Sequence, residues 1–192
     1  MPSPPSVNMP DIPSHHIIYG MCTDYISGKS VVDTDDERYR RKLARFIVEE
    51  KGYSKNDLES LSTIETLFSG QFVVSRIDLV VSLNKKRFMI IRYGPGSLVT
   101  RERPAIAAAR ILDPTHQIPL AVVTNGEDAE VLDTFTGKVV GMGLDAIPEK
   151  DEASELIKTL NFLPFPEGKK REREMRILNT FDVEICRTGG PA

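Results

Sequence analysis

One carboxylate stands out for the chemistry it could do. Asp78 lies in the run Arg76-Ile77-Asp78-Leu79-Val80-Val81, which is apolar on both sides of it. A charge in such surroundings needs a partner or a metal, because desolvating it alone is prohibitive. Metal-assisted phosphodiester hydrolysis would use such a group. An acid early in one hairpin strand and a Glu-x-Lys pair on the next can hold a divalent cation through oxygen. The lysine then stabilises phosphate charge or orients the attacking water. Other candidates point to less. His15 and His16 have no third ligand nearby and read as surface histidines. Cys22 and Cys186 match neither a disulfide framework nor a zinc spacing, and read as two free thiols in a reducing cytoplasm. Gly94-Pro95-Gly96 lacks the Gly-Lys-Ser/Thr of a nucleotide-phosphate loop, so no ATP-driven motor is expected.

Two basic clusters invite comparison with nucleic-acid patches. Arg38 to Lys42 is followed on the same helix by its expected partners Glu49 and Glu50, and reads as a solvated helix face. Lys169-Lys170-Arg171 and Arg173 are interleaved with Glu167, Glu172 and Glu174, so pairs such as Lys170 with Glu174 are expected instead. The net charge of -3 leaves only a local patch to attract phosphate. The 192 residues suffice for one well-cored domain, and no stretch approaches the apolar length of a membrane helix. The N-terminus lacks the basic-then-apolar pattern of a signal peptide, so a cytoplasmic protein with no membrane partner is expected.

The elements that must position Asp78 are legible as periodicities. Phe72 to Leu83 and Arg87 to Tyr93 read as two β-branched strands joined by a polar turn at Asn84-Lys85-Lys86. Their apolar flanks suggest burial on both faces, as in the central sheet of an α/β domain. Ile17 to Tyr25 and Ser30 to Val32 form a smaller hairpin ahead of it. Thr34 and Glu37 have capping-box spacing, and Tyr39, Leu43, Phe46 and Ile47 continue a helix to Gly52. A short helix near Asn56 to Leu61 and a strand from Thr63 to Phe68, which contains Glu65, complete the approach to the hairpin. Beyond it, Thr100 is the expected cap of an alanine-rich helix from Arg101 to Pro114, with Pro104 in its first turn. Short strands follow at Leu120–Val123, Glu130–Asp133 and Lys138–Val140, then helices at Asp151–Asn161 and Gly168–Thr180.

From Tyr19 to Pro148 the chain resembles the N-terminal nuclease domain of type I restriction enzyme R subunits, within the PD-(D/E)xK superfamily. The resemblance rests on Asp24-Tyr25-Ile26-Ser27-Gly28-Lys29, Thr34-Asp35-Asp36-Glu37-Arg38, Leu43 through Gly52-Tyr53, Arg76-Ile77-Asp78-Leu79-Val80 and Ala121-Val122-Val123-Thr124-Asn125-Gly126. It implies a restriction-endonuclease-like α/β core, a mixed central sheet flanked by helices. An N-terminal hairpin precedes the core and a helical extension follows it. The expected layout is a flexible tail at 1–14, the nuclease-like domain at 15–148, and an extension at 149–192 packed on the same domain. Asp78 corresponds to the metal-binding aspartate and Glu37 to the acid of the first helix, with Glu65 near the same sheet edge. The Glu-x-Lys positions hold Arg92 and Gly94, and the glutamine frequent in the following helix is absent from Ala105 to Arg110.

Replacing a ligand glutamate by arginine changes the site by two charges. At an effective dielectric near 20, one unit charge about 4 Å away is worth about 4 kcal/mol, enough to oppose Mg²⁺ binding. The expectation is a protein without nuclease catalysis and without a cofactor, with Arg92 paired to Asp78 in the place of the metal. Arg76, Arg92, Arg101, Arg103 and Lys86 are the candidates to line the cleft and touch phosphate. The expected partners are DNA, a second copy, or a protein of a restriction-type system, the last helix being a possible docking face. The alternative is a Mg²⁺-dependent DNA endonuclease using Asp78 with Glu65 or Glu37 as relocated ligands.

Overall fold

The computed structural model describes residues 17–187. The Met1–Ser14 tail, His15 and His16 lie outside them, as does the side chain of Cys186. Strands β1 (Ile18–Thr23) and β2 (Ser30–Thr34) pair antiparallel and lead into α1 (Asp35–Glu49). Six further strands make one mixed sheet: β3 (Leu58–Phe68), β4 (Gln71–Leu83), β5 (Lys86–Tyr93), β6 (Leu120–Thr124), β7 (Ala129–Asp133) and β8 (Lys138–Met142). They lie side by side in chain order, and β5–β6 is the parallel pair, with α2 (Val99–Leu112) as its crossover. Helices α3 (Lys150–Leu156) and α4 (Gly168–Arg187) follow. The expected α/β architecture is thus the observed one. Among the described residues no helix is long and apolar enough to cross a membrane.

The sheet separates two cores. On one side α1 packs Leu43, Ala44 and Ile47 against Leu79, Val81, Phe88 and Ile91. On the other, α2 lays Ala105, Ala107, Ala108 and Ala109 on Val80, Ile90, Ala121 and Val123, with Leu178 of α4 alongside. Four small side chains let α2 lie close to the strands. The residues Phe88, Met89, Ile90 and Ile91 of β5 are all buried, as a strand covered on both faces requires. Asn84 and Lys85 both have positive φ, 51° and 63°, and close the β4–β5 hairpin in two residues.

Ile77 and Leu79 lie two residues apart on β4 yet belong to opposite cores. The strand therefore turns over at Asp78. Its neighbour β3 does the same at Leu61, which has φ 55° and interrupts the pairing between Ser60↔Leu79 and Ser62↔Ile77.

Several expectations are corrected. Strand β3 begins at Leu58, not Thr63, because a tight turn at Lys55–Asp57, closed by Ser54 and Asp57, ends just before Leu58 pairs with Val81. Thr34 caps α1 by accepting the Glu37 amide at 3.2 Å, but the Glu37 carboxylate turns to Arg40 instead of returning to the cap. Helix α2 starts two residues early; Thr100 bonds Ser97 rather than capping, and Pro104 sits inside the helix. Helix α3 stops at Leu156, whereas α4 runs past Thr180 to Arg187. Glu174 pairs with Arg110 and Arg173, not Lys170. The basic cluster of α1 is not a uniformly solvated face, since Arg40 is only 1% exposed. Leu178 and Met175 of α4 pack on the second core.

Candidate functional site

The turn-over in β4 builds the site. Pairing between β4 and β5 ends at Leu79↔Ile91, and the Asp78 side chain continues it, Oδ2 accepting the Tyr93 amide at 2.7 Å. Burial pushes the Asp78 carboxyl up to about 6. The Tyr93 amide, Arg92 and Arg40 oppose that rise, and Asp36 adds to it. The Tyr93 ring stacks on Tyr39 of α1, centroids 4.8 Å apart, which ties β5 to the first helix. Its hydroxyl is pushed up to about 12 by burial, then by Asp36 and Tyr39.

Two guanidinium groups complete the cluster. Arg92 on β5 donates from Nη2 to Asp182 Oδ1 of α4 at 3.2 Å, and Phe181 lies beside it. Arg101 on α2 donates from Nη2 to the Pro95 carbonyl at 2.7 Å. Burial, then repulsion from Arg92, push its pKa down. The Arg101 guanidinium covers Gly94 so closely that a Cβ there would fall 1.8 Å from Nη1 and 2.3 Å from Cζ. A side chain at position 94 and Arg101 in this pose exclude one another. Among the described residues, Nη1 of Arg92 and Nε of Arg101 are buried without a hydrogen-bond partner. Both residues line one small cavity with Tyr93, Pro104 and Phe181. Its volume is about 10 Å³, room for a single water.

Residues 35–148 match the type I restriction enzyme R protein N terminus (HSDR_N) family. The chain belongs to that family. No curated protein and no solved structure matches it. Helix α4, which carries Phe181 and Asp182, lies beyond the matched residues 35–148.

Among the residues expected at the HSDR_N site, the fold gathers Asp78, Arg92 and Arg101. The pairing of Arg92 with Asp78 is corrected: Arg92 holds Asp182, and Asp78 holds the Tyr93 amide. Glu37 is drawn away into a buried cluster with Arg40 and Asp24, where Arg40 Nη1 meets Asp24 Oδ1 at 2.7 Å. Asp36, one residue earlier, is the first-helix acid whose charge reaches Asp78. Glu65 pairs with Val74, four residues along β4 from Asp78, a separation of about 13 Å at strand rise. Arg76, two residues before Asp78 on β4, is exposed. Arg103 lines a separate groove with Arg110, Arg173 and Glu174. Lys86 lies at the hairpin turn, its Nζ 3.4 Å from the centre of the Phe162 ring.

Sequence reading missed Asp36, Tyr93, Phe181 and Asp182. Asp182 lies four residues after Leu178 on α4, past the Thr180 end expected for that helix. Among the described residues no group of three or more His, Cys, Asp or Glu is arranged to hold a metal ion. The acids reaching this cleft are interleaved with Arg92 and Arg101, and that donor set does not fit the Mg²⁺ that nuclease chemistry would use.

Proposed function

We propose that this chain is a phosphate-binding member of the HSDR_N family that grips nucleic-acid backbone through Arg92 and Arg101 without hydrolysing it. One observation carries the reading: two guanidinium groups from different elements line the same cavity, each with a buried N–H that has no hydrogen-bond partner among the described residues. A phosphate oxygen satisfies such donors with charge-assisted hydrogen bonds, and guanidinium groups suit its geometry. The cavity is too small for a phosphate group as it stands. Entry therefore requires the end of α4 to shift and Asp182 to give up Arg92. A cytoplasmic setting and a separate motor or specificity partner belong to the same reading.

Fluorescence polarisation of a labelled DNA duplex at low salt tests it. The wild type binds, and its affinity falls with salt with a slope of about one to two phosphate contacts. Arg92→Ala with Arg101→Ala abolishes most of the binding. Gly94→Ala evicts Arg101 without altering charge and weakens binding at least about tenfold, the order of one charge-assisted hydrogen bond. Undiminished binding by these variants sinks the reading. Saturable Mn²⁺ uptake by calorimetry that disappears in Asp78→Asn, together with strand cutting, would establish the Mg²⁺-dependent endonuclease instead.

A further inference from the structure

Beyond Leu61 and Asp78, β3 and β4 continue as a two-stranded ribbon with Thr63 opposite Arg76, Glu65 opposite Val74 and Leu67 opposite Phe72. Its inner face, with Ile64, Thr66, Val73, Ser75 and Ile77, is buried. Asn179 of α4 secures that face, donating to Thr66 Oγ1 at 3.3 Å and to the Gln71 carbonyl at 3.2 Å. The outer face carries three large exposed apolar side chains. Leu67 is 66% exposed, Phe72 62% and Val74 42%. Soluble monomers seldom leave such a cluster in water. Glu65 and Arg76 are the charges on this face, diagonal neighbours across the ribbon. Neither makes an ion pair or side-chain hydrogen bond among the described residues.

We propose that the outer face of this ribbon is an isologous interface with a second copy of this chain. A two-fold axis sets Glu65 against Arg76 of the partner subunit and closes the Leu67–Phe72–Val74 surface on its counterpart. The charge pattern selects this occupant. An isologous patch meets itself, so one that carries both signs, unpaired within the protomer among the described residues, sets each charge against its complement across the axis. The strand β3 is also the edge of the six-stranded sheet, which leaves the ribbon accessible along its length.

Sedimentation velocity over a concentration series tests the interface, with circular dichroism confirming that each variant is folded. The wild type sediments as a dimer, and Phe72→Glu converts it to a monomer. Glu65→Arg alone and Arg76→Glu alone each weaken dimerisation at least about tenfold, because each sets like charges opposite one another. The double exchange E65R/R76E restores it. A wild-type monomer at every concentration overturns the proposal. So does a dimer indifferent to Phe72→Glu, or a double exchange no tighter than its single variants. DNA binding is a separate readout, so failure here leaves the phosphate reading intact.

Discussion

Asp78 couples protonation to folding. Burial raises its carboxyl to about 6 from an ordinary value of 3.8. Between those values the folded protein holds a proton that the unfolded chain has released. Stability therefore falls as pH rises through that window, and the loss at neutral pH is about 3 kcal/mol. Asp78→Asn keeps an oxygen for the Tyr93 amide and removes the charge. Urea unfolding at several pH values should show the variant matching the wild type near pH 4 and exceeding it by about 2–3 kcal/mol above pH 7. A pH-independent difference would mean that Asp78 ionises normally. Asp24 works in the opposite sense. Burial alone would raise it, but hydrogen bonds from Ser27, Arg40 and Ser60 hold it well below the carboxylate range. Its contribution is present at neutral pH and is lost on acidification through that range. Arg40→Ala strands Asp24 and Glu37 without their cation, and the urea midpoint should report a loss of about 3–5 kcal/mol.

At the scale of elements, the proposed phosphate site depends on α4. Arg92 pairs with Asp182, and on the proposed reading an external anion would take the place of that carboxylate. Asp182→Asn should raise DNA affinity about tenfold by the polarisation measurement, the order of one hydrogen bond to a charged group. Equal affinity would show that Asp182 does not compete for Arg92. The local pattern could not announce this contact, because its partners lie ninety residues apart. The same limit explains Asp36 and Glu37. Both fall in the first turn of α1, but neighbours on a helix point about 100° apart. Only the packing of the β1–β2 hairpin, through Asp24 and Arg40, determines which acid faces β4. What Thr34 and the spacing from Leu43 to Ile47 did specify, the existence and buried face of α1, is observed.

Across the whole molecule, the order of strands was written in their turn chemistry and lengths. Asn84-Lys85 demanded a hairpin, and the helix between Tyr93 and Leu120 allowed the parallel return. The reversal of β3 and β4 was not written, since β4 keeps an unbroken apolar alternation through Asp78. That reversal shares one long hairpin between two cores. Its outer half rests on α4, whereas its base rests on α1 and β5. Amide hydrogen exchange should therefore release residues 62–77 together with α4, as one cooperative unit less protected than Leu79 to Leu83. Uniform protection along β4 would refute this division. An anion that displaces Asp182 would loosen the support of the ribbon, and a second copy seated on the ribbon would stiffen it. Occupancy of the cleft and association of two chains would then be thermodynamically linked, each altering the equilibrium of the other by the same factor.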